Sequence, residues 1–415
     1  MKTSTRVALY SLSAAPILAA LDAGPPAPRA QEGGPATPST ESFSRPLPGL
    51  TTEELARFEA GRAEFESEEG LADGIGPIFN DGTDDTTTVS CAGCHSEGGT
   101  GGGSDFFERR FGRRMPGEEF DPLEELGGTL LQFSAIPGFH AAGVPSEADV
   151  QALRRSIPVF GLGLVDAVPD ETFHALARTQ QEQTPDTAGR VSLATNRANQ
   201  QPAVARFGWK AQIQSLLEFS AAAYVNEMGI TSPMFPLENC PDAPPGTCDD
   251  EVPNPDDDGA DVLLFRDFML FLAPPPRGPI TAEVERGEEL FGRVGCADCH
   301  TPTLTTGPHE IAALDRKELH PYSDFLLHDM GSLGDGIGGS QADASGIEAV
   351  AMGKEMRTQP LWGVRILDRF MHDGRAATLP DAIAAHDGQG SAARREFFNL
   401  TPEEQAAVIE FLKSL

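Results

Sequence analysis

Apolar residues recur at helical spacing close to both ends of the chain, directly after patterns that start helices. In LTTEELARFEAGRAEFE, Thr51 and Glu54 form a predicted capping box, and apolar side chains follow on one helix face. In LTPEEQAAVIEFLKSL, Thr401 is placed to cap a helix, Pro402 stands at its first position and Glu404 closes a second capping box. Few stretches alternate between apolar and polar residues as strands do. The pattern predicts a mainly α fold, and the 44 glycines and 34 prolines predict extensive loops.

The first helical pattern occurs again in ITAEVERGEELFGRVGCADCH. Gly287-x-x-x-Phe291 in this stretch matches Gly61-x-x-x-Phe65 in the first one, and each lies on a helix that leads toward a Cys-x-x-Cys-His motif. Such self-similarity predicts a duplicated module. In the first copy, an insertion separates the helix from the motif.

The charge balance narrows the classes of partner. The 415 residues include 31 Lys and Arg against 63 Asp and Glu, which gives a formal net charge of -32. Such a surface repels nucleic acid and anionic membranes, so neither is expected as a partner. It is compatible with a basic redox protein, although acidity alone more often serves only solubility.

The first residues have the pattern of an export signal. Lys2 and Arg6 precede the apolar stretch Val7–Leu21, which is too short to span a bilayer comfortably. We predict a signal peptide at 1–23, with an uncleaved anchor as the alternative, and expect no integral membrane span after its removal. Residues 24–49 are rich in Pro, Ala and Gly and predict a flexible linker.

Two short motifs, SCAGCH (Ser90–His95) and GCADCH (Gly295–His300), point most directly to chemistry. A structural zinc site requires four ligands and does not explain the histidine that follows each cysteine pair. A thioredoxin-like redox pair requires a βαβ context, which neither motif has. Covalent haem c explains both motifs, because the two thiols bond the haem vinyl groups and the next histidine binds the iron.

The motifs therefore predict two covalently bound haem c groups, one for each copy of the repeat. The expected attachment residues and proximal iron ligands are Cys91, Cys94, His95, Cys296, Cys299 and His300. We expect an N-terminal haem c domain with inserted loops at 50–275 and a C-terminal cytochrome c-like domain at 276–415. Because haem c is attached outside the bacterial inner membrane, the predicted location is the periplasm or another exported compartment of a Gram-negative type.

The Pro-rich and acidic stretch between the two halves has two further features. Cys240 and Cys248 are spaced for a local disulfide, which an exported protein can keep, with free thiols as the alternative. Acidic residues that could bind calcium follow at Asp256, Asp257, Asp258 and Asp261. Their spacing is not that of an EF-hand, and a solvated acidic loop is the alternative.

The chain resembles the bacterial di-haem oxidoreductases, often called thiol oxidoreductases and regarded as peroxidases. The strings that carry the resemblance are VFGLGLVDAVPD, ARFGWKAQIQSL, NEMGITSPMFP, YSDFLLHDMG, RTQPLWGV and FMHDGRAATLPDAIAAHDGQ. It covers about residues 50–415 and extends more remotely to di-haem cytochrome c peroxidases. The resemblance implies two cytochrome c-like domains whose haems face each other, one haem for substrate and one for electron relay.

For the second haem, the resemblance implies that His386 is the distal ligand, because related enzymes carry a Met or Tyr ligand at the corresponding position after the His-Asp-Gly turn. Thr378 is placed to cap a short helix here, and Leu379, Ile383 and His386 share one face of it. A histidine packed in the core is the alternative. Ligation by two histidines predicts a lower potential than ligation by His and Met.

For the first haem, GWKAQIQSLLEFSAAAYVNEMG resembles the peroxidase stretch that holds a Trp between the haems and a Glu over the substrate iron. The resemblance implies that Trp209 is the relay aromatic and that Glu227 is the acid/base for peroxide. A core aromatic is the alternative for Trp209. The segment 95–159 is shorter than the family resemblance would lead us to expect, so the resemblance does not assign the distal side of this haem. His140 and Met115 are alternative sixth ligands, with a structural or surface role as the commoner outcome.

Other residues are expected around the haems. His328 in LHDMG is assigned to packing and hydrogen bonding, with Met330 as a less favoured iron ligand. His372 is expected to bond a haem propionate or a neighbouring carbonyl. Arginine pairs bidentately with carboxylates, so candidate propionate partners are Arg206, Arg357 and Arg375, with an ordinary surface arginine as the alternative for each.

Two functions fit these expectations. The first is an exported oxidoreductase that acts like a peroxidase at the N-terminal haem, uses hydrogen peroxide as oxidant and receives electrons from a periplasmic redox protein through the C-terminal haem. The second is a non-catalytic di-haem electron carrier. An open iron position favours the enzyme, and two six-coordinate irons favour the carrier. Thiol oxidation has little support, because no spare Cys-x-x-Cys remains once the haems are attached.

Overall fold

A computed structural model of the chain describes residues 43–81, 88–116, 120–197, 199–250, 252–338 and 351–415. The predicted signal peptide and residues 24–42 of the predicted linker lie outside these ranges. The described residues contain ten α-helices: α1 (Thr52–Glu66), α2 (Cys91–Cys94), α3 (Leu162–Asp166), α4 (Asp170–Gln183), α5 (Leu216–Ala223), α6 (Ala260–Phe271), α7 (Ala282–Arg293), α8 (Leu379–Ala385), α9 (Ser391–Asn399) and α10 (Pro402–Lys413). A π-helical turn, Tyr224–Met228, continues α5 directly.

Residues 43–49, the last part of the predicted linker, are packed against the rest of the protein. Phe43 is 3% exposed and Leu47 is 5% exposed. The backbone N–H of Leu47 also donates to the carbonyl of Phe271, at 2.7 Å. The linker prediction is wrong for these residues, because two large apolar side chains interrupt the Pro- and Gly-rich composition and are buried.

Short strands are more frequent than the sequence pattern predicts. The described strands are β1 (Ile78–Phe79), β2 (Phe107–Arg114), β3 (Phe120–Asp121), β4 (Leu130–Leu131), β5 (Ser134–Ala135), β6 (Val150–Arg155), β7 (Ser192–Thr195), β8 (Pro202–Ala205), β9 (Leu304–Thr305), β10 (Glu318–Leu319), β11 (Leu327–Asp329) and β12 (Glu355–Arg357). β2 pairs antiparallel with β3, β4 and β6, and Arg109 lies opposite Leu153 in the longest of these ladders. Antiparallel two-stranded pairs are formed by β1 and β5, β7 and β8, β9 and β10, and β11 and β12. The helical prediction therefore needs one correction, a four-stranded sheet within residues 107–155.

The predicted capping boxes start α1 and α10. The hydroxyl of Thr51 accepts the N–H of Glu54 at 3.2 Å, and the Glu54 carboxylate accepts the N–H of Thr51 at 2.7 Å. Thr401 and Glu404 make the same two bonds, at 3.3 and 3.1 Å. Each box satisfies two backbone donors that a helix start would otherwise leave unpaired.

The predicted repeat appears as two helix pairs, because α1 packs against α6 and α7 packs against α10. A methyl group on Gly61 would overlap the carbonyl oxygen of Leu264 on the facing helix. A methyl group on Gly287 would overlap the carbonyl oxygen of Ala407 in the same way. The missing side chain at each glycine lets the two helix backbones come into contact.

Two hydrophobic cores accompany the helix pairs. The smaller core is formed only by residues from the second half, among them Phe291 and Phe411. The larger core contains Phe58 and Phe268 from the first half and also Leu314 from the second half. The predicted boundary after residue 275 does not separate the cores, and residues 41–415 form one packed unit. The division into two cytochrome c-like domains therefore stays a prediction.

Candidate functional site

Each Cys-x-x-Cys-His motif lines a cavity of its own. The first cavity has a volume of about 420 Å³, and Cys91, Cys94 and His95 form part of its wall. The second has a volume of about 260 Å³, and its wall includes all three residues of the second motif, Cys296, Cys299 and His300. Both volumes are near the lower end of the range found for pockets that enclose organic ligands, about 300–1,000 Å³.

Local helical turns place both thiols of a motif on the same cavity wall. In the first motif, α2 is capped by Ser90, whose hydroxyl accepts the N–H of Gly93 at 3.2 Å. In the second, the 3₁₀ turn Cys296–Asp298 follows Gly295, whose φ of 90° favours glycine. Each motif thus brings two sulfur atoms and one imidazole to the wall of its own cavity.

Both motif histidines are oriented by a backbone carbonyl. Nδ1 of His95 lies 3.1 Å from the carbonyl oxygen of Gly102, and Nδ1 of His300 lies 2.8 Å from that of Tyr322. With Nδ1–H as the donor, Nε2 keeps the free electron pair that a metal ligand needs. Burial lowers the pKa of both histidines, so both imidazoles are neutral at physiological pH.

The phenylalanine of each repeat packs against the motif histidine of the same repeat. The ring centres of Phe65 and His95 are 6.1 Å apart, and those of Phe291 and His300 are 6.2 Å apart. The two interplanar angles, 60° and 58°, also agree. The predicted duplication therefore extends from the helix pair to the orientation of the histidine.

The competing interpretations of the motifs receive no support from the geometry. All four motif thiols are free. Within the described ranges, the single group of at least three His, Cys, Asp or Glu residues close enough to share a metal ion is Glu238, Asp250 and Asp256. The two cysteine pairs are therefore not brought together as a four-ligand zinc site.

In the first cavity, Glu227 faces the interior from the π-helical turn. The side-chain amide of Asn80 donates to Glu227 Oε2 at 2.7 Å, and the backbone N–H of Asn80 donates to the Glu227 carbonyl at 2.7 Å. Asn80 is itself 1% exposed. The π turn and this double contact fix the carboxyl group that the sequence assigned to acid/base chemistry, and such turns are frequent at functional sites.

A second carboxylate, Glu108 on β2, lies next to Glu227 and was not predicted. Arg110 binds it with two parallel hydrogen bonds, from Nε at 2.9 Å and from Nη2 at 2.7 Å. Burial opposes ionisation of Glu108, but Arg110 outweighs it and lowers its pKa. Burial, followed by repulsion from Glu108, raises the pKa of Glu227 to about 8. The cavity thus holds one ionised carboxylate beside one that keeps its proton at neutral pH.

Trp209 lies between the two cavities and lines both. Its indole N–H donates to the carbonyl of Arg155 at 3.0 Å, and the Arg155 N–H donates to the carbonyl of His372 at 2.7 Å. The rings of Trp209 and His372 meet edge to face, with centres 6.2 Å apart. The position agrees with the predicted relay aromatic, and Arg155 is a further wall residue that sequence reasoning missed.

Arg357 holds the loop that carries Trp209 and also lines the second cavity. Its Nε donates to the carbonyl of Gly208 at 2.6 Å, and its backbone N–H donates to the carbonyl of Trp209 at 3.0 Å. Burial lowers the pKa of Arg357 to about 9. A buried guanidinium beside this cavity fits the predicted pairing with a haem propionate.

In the second cavity, His386 faces His300. Their ring centres are 6.4 Å apart, and Nδ1 of His386 lies 2.8 Å from the carbonyl oxygen of Ala382, which leaves Nε2 free. An imidazole nitrogen lies about 2.0–2.1 Å from a bound first-row metal ion and roughly 1.1 Å from its own ring centre, so two imidazoles that bound one metal ion from opposite sides would have ring centres about 6.3 Å apart. The pair therefore has the spacing of two ligands on opposite sides of one metal ion.

His328 also lines the second cavity, but both of its nitrogens have partners. Nε2 lies 2.9 Å from the Asp324 carboxylate, and Nδ1 lies 3.4 Å from the sulfur of Cys299. Burial opposes protonation, but Asp324 outweighs it and raises the pKa of His328 well above its usual value. The packing and hydrogen-bonding role predicted for His328 agrees with these contacts, and Met330 lies in the same wall.

Two of the predicted propionate partners are directed elsewhere. Arg206 is buried, binds Asp170 and the carbonyl of Val168, and lines neither cavity. Arg375 is exposed, pairs with Asp373 and also lines neither cavity. An acidic side chain holds each guanidinium away from the cavities, and both assignments stay predictions.

Four predictions outside the cavities can also be compared with the structure. His140 is exposed and lies 3.1 Å from Asp242, and Met115 is 39% exposed, so neither reaches the first cavity as a sixth ligand. The Cys240–Cys248 disulfide is confirmed, with Cα atoms 5.8 Å apart. Of the predicted calcium residues, Asp256 joins a carboxylate cluster, whereas Asp257 and Asp258 accept backbone N–H groups at the start of α6.

The sequence profile described as "Di-haem oxidoreductase, putative peroxidase" matches residues 144–415. The chain belongs to this family. Membership makes the protein an oxidoreductase, implies two haem groups and confirms the resemblance found in the sequence. The profile match includes Trp209, Glu227, the second motif and His386, whereas the first motif lies before it.

Solved structures show weaker similarity to the chain. Hydrazine synthase from Kuenenia stuttgartiensis is 17% identical, with a TM-score of 0.37, and the match covers 95% of this chain and 100% of that one. A MauG-like protein associated with microbial copper homeostasis is 14% identical, with a TM-score of 0.40 and coverages of 89% and 92%. The di-haem peroxidase BthA from Burkholderia thailandensis is 16% identical, with a TM-score of 0.38 and coverages of 89% and 86%. No curated protein matches the chain.

Both cavities fit the haem groups that the family implies. Each presents two thiols and a neutral histidine with a free Nε2 to one opening, which is the donor set of covalent haem c. The second adds a histidine at the spacing required on the opposite side of a metal. Within the residues described, no helix has the length and apolar character needed to cross a membrane.

Proposed function

We propose that the di-haem oxidoreductase described here reduces hydrogen peroxide in its first cavity and relays electrons through the second. The observation that carries this proposal is the contrast in what faces each motif histidine. His300 faces His386, whereas the first cavity presents the carboxyl groups of Glu227 and Glu108 and, among the residues that the structure describes, has no histidine in its wall besides His95. A cavity with acid/base groups supports chemistry, and a cavity closed by a second imidazole supports electron transfer.

The thiols and histidines of the two motifs hold the haems, with His386 as the distal ligand of the second. When bound, haem iron supplies a position for peroxide and a route for electrons. Arg357, which lines the second cavity, is the guanidinium group that fits a haem propionate there.

Glu227 is the residue that moves the proton. Asn80 holds Oε2, and the Glu227 carboxylate, once ionised, takes a proton from one peroxide oxygen and returns it to the other as the O–O bond breaks. The ionised Glu108 and its partner Arg110 set the protonation of Glu227 from the side of β2. Overall, one hydrogen peroxide, two electrons from a donor protein and two protons give two water molecules.

Trp209 is the aromatic group between electron entry and peroxide reduction. It contacts both cavities, and its ring is fixed by the indole hydrogen bond to Arg155 and by the edge of His372. The donor is an exported redox protein, since the pattern at 1–23, the two haem c motifs and the disulfide all favour the periplasm. The acidic net charge of -32 favours a donor with a basic surface.

Mass spectrometry of the exported protein tests the attachment of the haems. The expected mass contains two haem groups, and Cys91→Ala or Cys296→Ala should weaken attachment of only the haem in its own motif. Stopped-flow mixing of the reduced holoprotein with hydrogen peroxide then tests the function. The proposal expects rapid oxidation with one peroxide consumed per two electrons. Protein that carries both haems but is inert to peroxide would establish the electron-carrier function instead.

A further inference from the structure

Three carboxylates that the proposed chemistry does not use converge behind the turn that carries Glu227. They are Glu238, Asp250 and Asp256, and one oxygen atom from each lies within 4.8 Å of those from the other two. Only Asp256 belongs to the acidic run that the sequence suggested as a calcium site. The cluster therefore differs from the predicted one in two of its members.

The disulfide brings two of the carboxylates together. Glu238 stands two residues before Cys240 and Asp250 two residues after Cys248, and the disulfide holds those cysteines with Cα atoms 5.8 Å apart. Glu238 and Asp250 thus lie at the base of the loop that the disulfide closes. Because the disulfide is covalent, it brings these two carboxylates close together without any bond between them.

Thr231 fixes the third carboxylate through one oxygen only. Its backbone N–H and its hydroxyl donate to Oδ2 of Asp256, at 2.8 and 2.9 Å. The other oxygen, Oδ1, is buried and accepts no hydrogen bond. This arrangement orients Asp256 and leaves one oxygen atom for a different partner.

Glu238 is the group that most needs a ligand. It is 1% exposed, and neither of its carboxylate oxygens accepts a hydrogen bond. In the described part of the chain, no Lys, Arg or His forms an ion pair with Glu238 or Asp256. Burial, with added repulsion from Asp256 and Asp250, raises the pKa of Glu238 to about 8. Buried carboxylates without a compensating charge are costly, and proteins keep them where they bind a cation.

We propose that Glu238, Asp250 and Asp256 bind a calcium ion. All three donors are oxygen atoms, and no histidine or cysteine belongs to the cluster, which favours a hard cation over zinc or copper. Calcium accepts irregular sets of six to eight oxygen ligands, with carbonyls and water completing the shell, whereas magnesium requires near-octahedral geometry. Carboxylates from three separate positions of an irregular loop fit the more tolerant ion.

The site would brace the turn that positions Glu227. Asn239, next to Glu238, donates from its side-chain amide to the carbonyl of Val225 at 2.9 Å, within the π turn. Thr231, which holds Asp256, follows the end of the same turn by three residues. Calcium therefore acts as a positioning element for the first cavity, whereas binding itself can be measured whether or not the protein reduces peroxide.

Calorimetric titration of chelator-treated holoprotein with calcium chloride tests the site. The concentration should extend to about 1 mM, the upper range for extracellular calcium modules. We expect one saturable site and a Tm that rises with calcium. Glu238→Gln should abolish both effects. Asp258→Asn, in an exposed residue of the neighbouring acidic run that makes only a helix-start contact, should leave both unchanged.

Melting in the presence of chelator separates loss of binding from loss of folding. Because Glu238→Gln removes a buried carboxyl group that is costly to ionise, its Tm without calcium should equal or exceed that of the wild type. Saturable calcium binding that survives in this variant would overturn the assignment of the residues. Absence of binding in the wild type up to the same concentration, or binding of magnesium in preference to calcium, would overturn the calcium site.

Discussion

The two cavities are alike on the side of the motif and different on the opposite side. In both, the histidine of the Cys-x-x-Cys-His motif has Nδ1 next to a backbone carbonyl oxygen. In both, its ring packs against the phenylalanine of the Gly-x-x-x-Phe repeat. Opposite His300 stands the imidazole of His386. The first cavity instead presents Glu227 and the Glu108–Arg110 pair.

The motif side of each cavity follows the repeat, whereas the opposite side is built by segments that the repeat does not share. His386, directly after the short helix α8, brings an imidazole to the second cavity. Strand β2 and the π turn bring carboxyl groups to the first. Because β2 follows the first motif and α8 follows the second, the residues that make the two cavities unequal lie outside the stretches that the repeat shares.

The largest expected effect is that of Glu227→Gln on peroxide reduction. Loss of a general acid/base typically lowers rates about 10²–10⁴-fold, and the amide keeps the shape of the carboxyl group. We therefore expect kcat/KM for hydrogen peroxide to fall within that range in steady-state assays. Glu218→Gln is the matched control, because Glu218 lines the same cavity but is bound by Gln214, at 2.7 Å.

The same residue predicts the pH dependence of the wild type. Only the ionised carboxylate can accept a proton, and burial with repulsion from Glu108 raises the pKa of Glu227 to about 8. The value of kcat/KM should therefore rise with pH and level off above about 8, and Glu227→Gln should remove that limb. A wild-type profile that falls through this range would contradict the assigned role.

Trp209→Phe tests whether the two cavities communicate through the indole. The smaller ring also loses the hydrogen bond to Arg155, so electron transfer between the haems should become slower without a change in the spin state of either iron. Flash-induced or stopped-flow reduction of one haem followed by the other measures the rate. Trp362→Phe is the control, because this second tryptophan lines only the second cavity. Equal rates in both variants would remove Trp209 from the relay.

The smallest expected effect concerns the glycines at which the two helices of each pair come into contact. Gly61→Ala and Gly287→Ala each place a methyl group against a facing backbone, and overpacking of this kind costs about 1–3 kcal/mol. Gly292→Ala, on the same helix as Gly287 but with nothing within 4 Å, should be neutral or stabilise by up to about 1 kcal/mol. Thermal unfolding of the three variants measures the order. A Gly292 variant as unstable as the other two would contradict the packing role.

Sequence reasoning succeeded where local pattern or covalent chemistry determines structure. The capping boxes at Thr51 and Thr401, the repeated glycines and the disulfide all depend on residues close in sequence or on a specific bond. Trp209 between the cavities and His386 opposite His300 were located through the family resemblance rather than through any physical rule.

The sequence could not supply what depends on distant pairing. β2 pairs with residues far along the chain, as Phe107 does with Arg155, and strands of two residues have no periodicity to detect. Glu108 and Arg110 were missed for this reason. The partner of Arg206, Asp170, is equally remote, whereas that of Arg375, Asp373, stands only two residues away and could have been weighed.

Low-temperature EPR of the oxidised holoprotein tests the central contrast between the cavities most directly. The proposed function predicts one high-spin haem in the first cavity and one low-spin haem with two histidine ligands in the second. His386→Ala should convert the low-spin signal to high spin, whereas Met330→Leu, in the same wall, should leave it unchanged. Two low-spin haems in the wild type, or a low-spin signal that persists in His386→Ala, would contradict the account.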